Sequence, residues 1–265
     1  MAQTTCGFCE SNTQISNEHI FAEWVGVLLG ADQGKSKTVV HGLKRESYQP
    51  RKWRASTFDH KVRMACTTCN SGWMAGLETA VAPIITPMIR GVPGALKHSD
   101  RLTIARWAVK TAMVQEYAHP GRHYFTQAER RSLMNDGVNS ELGARVWAGR
   151  YVTRPNGLHG LSVRLVGVDG ALGACVSMFS LGQFAVQVLV ERASARQEER
   201  QPWHAGPWEE LLSSIWPPAK PADIRAVDLT WPPSVSITSE EMFYEVFCRF
   251  ASVSPKHPFG GRNGG

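Results

Sequence analysis

Apolar residues in the middle of the chain recur every three or four positions, which is the spacing of one face of an α-helix. The repeat begins behind Ser99 and Asp100, either of which can cap the first turn, and it stops at His119, Pro120 and Gly121. We therefore predict a long helix with an apolar face made of Leu102, Ile104, Ala105, Ala108, Ala112 and Met113.

Behind this helix the pattern predicts a second helix and then changes to the alternation of β-strands. Thr126 and Glu129 have the spacing of a capping box, which opens a helix through about residue 135. Four runs bounded by Gly, Pro and Asn follow, at 144–152, 161–168, 174–180 and 183–191. Because the connections are too short for crossovers, we predict an antiparallel β-meander. The segment 202–233 is predicted to be irregular, and 239–251 to be helical.

The first part of the chain carries shorter elements. Residues 14–22 are predicted to form a hairpin, and residues 23–30 a helical turn bounded by glycine. A helix is predicted after Asn70 until Pro83 disturbs it. Proline and glycine then cluster as far as residue 94, and we place a boundary there.

The two predicted domains are residues 1–95 and 96–265, and the fold class is α+β. The second domain combines the helical segment with the β-meander, and it contains no catalytic motif, so it is a candidate sensor or scaffold. Cys175 and Cys248 lie singly in apolar stretches and are predicted to be buried thiols.

Composition is that of an ordinary globular protein, with 265 residues, 43% hydrophobic and 20% charged. There is no run of about eighteen apolar residues and no basic-then-apolar leader. We therefore predict neither a membrane span nor a signal peptide. The cysteine pattern suits a reducing compartment, which predicts a cytoplasmic location. Oligomeric state has no sequence signature in this chain.

Positive charge is concentrated in residues 31–65. This segment has nine Lys or Arg against three Asp or Glu, an excess equal to the net charge of +6 of the whole chain. Tyr48, Trp53 and Phe58 are interleaved with the basic residues. Cations and flat aromatic rings suit a phosphate backbone and exposed bases, although a solvated loop has the same composition. The predicted nucleic-acid contacts are Lys44, Arg45, Arg51, Lys52 and Arg54.

Four of the six cysteines form two CxxC pairs, Cys6 with Cys9 and Cys66 with Cys69. Four thiolates in this arrangement can surround a structural zinc, whereas two disulfides or four unbound thiols are the alternatives. A closed four-cysteine site leaves no position for a substrate. Its predicted role is to bring the neighbours of the two pairs together.

Those neighbours resemble the HNH endonucleases of the treble-clef, or ββα-metal, type. Glu18 and His19 follow the first pair, Ile20 follows them, and Asn70 comes directly behind the second pair. The resemblance implies a zinc-stapled ββα-metal module within 1–95, into which the basic segment 31–65 is inserted. The stretch from Cys69 to Glu78, with that from Trp107 to Met113, is also similar to bacterial proteins described only as HNH-like.

The resemblance implies a mechanism as well. His19 corresponds to the general base, and Glu18 and Asn70 correspond to the ligands of a divalent cation, Mg²⁺ or Mn²⁺. The implied activity is hydrolysis of phosphodiester bonds in nucleic acid, with DNA as the favoured substrate. The middle Asn of the motif is missing, because no Asn lies between His19 and Cys66; His41 and His60 are the histidines available in that segment.

Two other functions fit the same residues. A non-catalytic zinc module that binds nucleic acid or protein would keep the cysteines and the basic segment, with the missing Asn marking a lost active site. Alternatively, residues 96–265 would be a sensor for a nucleotide, a modified base or a protein, coupled to a nuclease.

Overall fold

The computed structural model describes residues 5–30, 38–40, 51–53, 60–118, 123–139, 141–153, 157–166, 172–192, 208–217 and 228–250. The helices of this part are α1 (Glu23–Leu28), α2 (Thr67–Cys69), α3 (Ala75–Ile89), α4 (His98–Gln115), α5 (Gln127–Asp136), α6 (Trp208–Leu211) and α7 (Glu240–Cys248). The strands are β1 (Ile15–His19), β2 (Thr38–Val40), β3 (Arg51–Trp53), β4 (Lys61–Cys66), β5 (Gly94–Leu96), β6 (Ala144–Arg150), β7 (Leu158–Val166), β8 (Leu172–Leu181), β9 (Phe184–Glu191), β10 (Leu212–Trp216) and β11 (Leu229–Trp231). The mixed helix and strand content with antiparallel sheets confirms the coarse fold class.

The N-terminal part pairs β1 with β4 in an antiparallel ladder, in which Ile15 lies opposite Cys66 and His19 opposite Lys61. The short helix α2 follows β4 without a loop, and the segment Asn70–Met74, which is kinked at Gly72, joins it to α3. The second cysteine pair therefore lies where a strand becomes a helix. Elsewhere β2 pairs with β3, and β5 with β11.

Helix α3 runs through Pro83 and Pro87, so the prediction that Pro83 ends the helix was wrong. Each proline removes one backbone hydrogen bond and disfavours a helix interior. One side of α3 nevertheless enters the core along its whole length, through Leu77, Val81, Ile85, Met88 and Ile89. We infer that burial of this face offsets the cost of the two prolines.

Helix α4 is the long helix predicted behind Ser99, and it is buried on more than one face. From Ile104 to Gln115 every residue except Arg106 is buried. Its first turn is closed by Asp100, whose carboxylate accepts a hydrogen bond from the backbone of Lys97 at 2.9 Å. A helix that is buried all round is a core element and not an amphipathic surface helix.

The large sheet has the strand order β10-β6-β9-β8-β7 and is antiparallel throughout. The predicted meander is found for β7, β8 and β9, but β6 lies beside β9 and not beside β7. Strand β9 is buried from Phe184 to Val190, which is typical of a central strand with a neighbour on each edge. The outer neighbour of β6 is β10, a strand within the segment that had been predicted to be irregular.

Two apolar clusters cover the two faces of the sheet. The first joins alternate residues of the strands, such as Val146 and Phe179, to α3, α4 and the cysteine region. The second joins the opposite residues, such as Trp147 and Met178, to Phe243, Val246 and Phe247 of α7. The first cluster contains residues from both sides of position 95, while the division into two domains at that position stays a prediction. No helix in the described ranges is both long enough and apolar enough to cross a bilayer.

Candidate metal centre

The four cysteines of the two CxxC pairs lie together, with their sulfur atoms within 4.8 Å of one another. The Sγ atoms of Cys9 and Cys66 are 3.7 Å apart. Sulfur atoms bound to one tetrahedral zinc at about 2.3 Å would be roughly 3.8 Å apart, so this spacing is that of a shared metal ion. All four are thiols, and the cluster is consistent with the predicted structural zinc.

Backbone N–H groups surround the sulfur atoms. Cys6 Sγ accepts from the N–H of Phe8 at 3.5 Å and from that of Cys66 at 3.3 Å, and Cys66 Sγ accepts from the N–H of Cys69 at 3.4 Å. Burial opposes ionisation of the Cys66 thiol, but hydrogen bonds led by that of Cys69 lower its pKa to about 6. Burial raises the pKa of Cys9 and of Cys69, so within the cluster these hydrogen bonds favour the metal-binding thiolate form at Cys66.

The first pair lies on a turn that approaches β4 closely at Gly7. The N–H of Gly7 donates to the carbonyl of Met64 at 2.6 Å. A Cβ at Gly7 would lie 3.0 Å from that same oxygen, which is tighter than an ordinary contact. The glycine between Cys6 and Phe8 therefore allows the turn to bring its two cysteines to the strand that carries the others.

Asn70 contacts strand β1 through the side chain of Ser16. Its Nδ2 donates to Ser16 Oγ at 3.0 Å, and Ser16 Oγ in turn donates to the carbonyl of Ala65 at 3.0 Å. The start of the helical segment is thereby joined to both strands of the β1–β4 ladder.

Glu18 and His19 point to opposite faces of β1, because successive side chains of a strand alternate. Glu18 is 7% exposed and shares its face with its partner Val62. His19 is half-buried at the end of the strand, opposite the exposed Lys61, and Asn17 lies opposite the exposed Arg63. The outer face of the ladder thus carries His19 opposite Lys61, with Arg63 two residues further along β4. Convergence of Glu18, His19 and Asn70 on one ion stays a prediction.

The Glu18 carboxylate has a partner that the sequence did not suggest. Its Oε1 lies 3.6 Å from Nζ of Lys110 in α4, and the same ammonium is 2.6 Å from Oε1 of Glu78 in α3. Burial raises the pKa of Glu18, while the nearby Lys110 lowers it and Glu78 raises it. The one sequence signal was a lysine inside the apolar run of the long helix.

The other residues predicted from the sequence are the basic residues of the insertion and two histidines, and most of them lie outside the described residues. Lys44, Arg45, Arg54 and His41 lie outside the described residues, and Arg51 and Lys52 are described only as part of β3. His60 lies directly before β4, and its carbonyl accepts the N–H of Ile20 at 3.0 Å. Burial lowers the pKa of its imidazole, which favours the neutral form.

No family model matches this chain. No curated protein and no solved structure gives a significant match either.

Proposed function

We propose that the chain is a metal-dependent endonuclease of the HNH type, which hydrolyses phosphodiester bonds in nucleic acid and favours DNA. The single observation that carries the proposal is the contact of Asn70 with β1: its amide reaches Ser16 at 3.0 Å, two residues before Glu18 and three before His19. Residues far apart in sequence, each adjacent to a cysteine pair, thus lie on one small scaffold.

The cysteine cluster is proposed to hold a structural zinc within a treble-clef module. The order of a cysteine turn, two paired strands and a helix that begins at the second cysteine pair supports this assignment. Because all four positions of the ion are taken by protein ligands, the zinc would hold the scaffold and take no part in hydrolysis.

The donor atoms of Glu18 and Asn70 fit a hard cation. The nitrogen of the Asn70 amide is engaged with Ser16, so Oδ1 is the atom left to coordinate an ion, and Glu18 offers a carboxylate oxygen. Oxygen ligands of this kind suit Mg²⁺ or Mn²⁺. When bound, such an ion neutralises charge on the phosphate and assists the leaving oxygen.

His19 is proposed to remove a proton from the attacking water through its imidazole. Histidine is the side chain that most often serves as a general base in enzymes. Lys61, opposite His19, and Arg63, two residues further along the same face, provide positive charge for the phosphate backbone. The insertion residues Lys44, Arg45, Arg51, Lys52 and Arg54 are proposed to extend this contact along the strand.

A second candidate is a non-catalytic zinc module that binds nucleic acid. It is favoured by the inward orientation of Glu18, whose carboxylate faces Lys110 on the opposite side of β1 from His19. In that case the scaffold and its basic outer face would be retained without cleavage.

A cleavage assay separates the two candidates. Plasmid and single-stranded DNA are incubated with the protein in Mg²⁺, Mn²⁺ or EDTA. We expect His19→Ala to keep zinc and nucleic-acid binding but to lose cleavage by about two to four orders of magnitude, the usual value of a general base. His98→Ala, in the first turn of α4, is the matched control and should cleave normally.

Two outcomes of this assay would contradict the proposal. If His19→Ala cleaves as fast as wild type, His19 is not the base. If wild type binds DNA and cleaves neither substrate with any cation, the binding module is the better description.

A further inference from the structure

A buried lysine links the proposed metal ligand Glu18 to the second part of the chain. Lys110 lies in the middle of α4 and is 1% exposed, and its ammonium lies between two carboxylates. An ammonium is costly to bury unless opposite charges lie close by, and Glu18 and Glu78 provide them. The three residues come from β1, α3 and α4, so each element contributes one member.

Two tryptophans hold the Glu78 carboxylate in addition to Lys110. Nε1 of Trp107 donates to both of its carboxylate oxygens at 3.0 Å, and Nε1 of Trp24 donates to Oε2 at 3.3 Å. With the ammonium of Lys110 at 2.6 Å, the carboxylate has three donors, two on α4 and one on α1. Its orientation is therefore set by packed side chains, and it in turn places the lysine.

We propose that Lys110 and Glu78 are positioning residues that hold the Glu18 carboxylate in the orientation in which it binds the divalent cation. This inference rests on the proposed function, in which Glu18 and Asn70 are the ligands. Metal-binding carboxylates are generally held by outer hydrogen-bond partners, and loss of such a partner costs about 10–100-fold in metal affinity. In the described structure, Lys110 is the charged partner of Glu18, and Glu78 is the partner of Lys110. The site would then extend beyond the N-terminal residues to α4.

The test measures binding of Mn²⁺ alone to the zinc-loaded full-length protein, by the loss of the free Mn²⁺ signal in electron paramagnetic resonance. Wild type should bind one Mn²⁺ in a way that Glu18→Gln abolishes. Lys110→Met keeps the aliphatic stem and removes the ammonium, and it should raise the Mn²⁺ dissociation constant about 10–100-fold with zinc content unchanged.

The matched control is Arg130→Met. It removes a buried cation from a different ion pair, in which Nη2 of Arg130 lies 2.5 Å from Oε1 of Glu116. This variant should lower thermal stability comparably while leaving the Mn²⁺ dissociation constant within about threefold. The control therefore separates loss of a buried ion pair from loss of metal positioning.

Lys110→Met leaves the buried Glu18 carboxylate and the half-buried Glu78 carboxylate without their shared cation, and it is scored only if it folds. The double variant Lys110→Met with Glu78→Gln removes one charge of each sign and serves where the single variant does not fold. Wild-type Mn²⁺ affinity in either folded variant, or a loss no larger than that of Arg130→Met, overturns the inference while the proposed function stands. If wild type itself binds no Mn²⁺ that depends on Glu18, the proposed metal site fails, and this inference fails with it.

Discussion

The region around the four cysteines and the five-stranded sheet share one apolar cluster, yet different contacts hold each of them together. In the cysteine region a two-stranded ladder exposes one charged face to solvent, and paired strands of this size are marginal without further support. In the sheet, β8 and β9 are buried almost throughout, with helices packed on both faces.

The two regions therefore depend on different interactions for their stability. The sheet depends on apolar burial, which is spread over many side chains, so no single residue decides whether it forms. If the four cysteines hold the proposed zinc, the cysteine region depends on one ion with four ligands, so each ligand is decisive. Perturbations directed at the metal and at the apolar core should therefore have separable consequences.

The largest effect is expected for Cys66→Ser, which removes one ligand of the proposed zinc. Binding of a structural zinc contributes roughly 10–16 kcal/mol in small zinc modules, and most of it should be lost here. The zinc content should fall well below one ion per chain, and amides of β1 and β4 should exchange rapidly. Those of β8 and β9 should stay protected, because α7 still covers one face of the sheet.

Metal analysis and hydrogen exchange measure this outcome, with Cys175→Ser as the control. Cys175 is a buried thiol in β8 outside the cluster, so its change should keep zinc and cost only about 1–3 kcal/mol. A Cys66→Ser protein with one tightly held zinc, or with uniform loss of protection in both regions, would show that the comparison is wrong.

An intermediate effect is expected for Phe179→Ala, in the apolar contact between the two regions. Phe179 is fully buried in β8, and its ring lies 5.3 Å from that of Phe21 and 5.6 Å from that of Trp107. Truncation of a buried Phe costs about 3–5 kcal/mol. Urea unfolding should show this loss while the zinc content stays unchanged.

Val235→Ala is the surface control for that measurement. Its side chain is 39% exposed, and the change should alter the free energy of unfolding by less than about 0.5 kcal/mol. If Phe179→Ala costs no more than the control, the ring contacts do not couple the regions.

The smallest effect on stability is expected at alkaline pH, and it comes from Cys248 in the second apolar cluster. Burial raises the pKa of the Cys248 thiol from its usual 9.0 to about 11. The folded protein therefore holds this proton more tightly than the unfolded chain. The stability contributed by the proton is present below pH 9 and is lost as pH rises through about 11.

Cys248→Ala removes that dependence and isolates it from other groups. Between pH 8 and pH 11, the free energy of unfolding of wild type minus that of the variant should fall steadily as pH rises. Cys175→Ala, in the first apolar cluster, serves as the comparison, whereas Cys248 belongs to the second. A difference that is constant over this range would mean that Cys248 titrates normally in the folded state.

Local elements followed directly from the sequence wherever neighbouring residues set the structure. The capping box of Thr126 and Glu129 does open α5, with the Thr126 hydroxyl accepting the N–H of Glu129. The two CxxC pairs were sufficient to predict the cluster, because a metal needs those ligands in any fold. Cys175 and Cys248 are buried, as their apolar surroundings predicted.

Other features were decided only by packing at a distance. Pro83 lies inside a helix because buried neighbours offset its local cost, and β6 lies beside β9 because a central strand needs two partners. The same is true of the buried charges: Lys110 is 92 positions from Glu18 in the sequence, and nothing in the intervening residues states that their side chains meet. The sequence determines which charged groups the chain contains. Only the tertiary structure determines which of them are buried together, away from water, and burial is what makes a charge depend on a nearby partner.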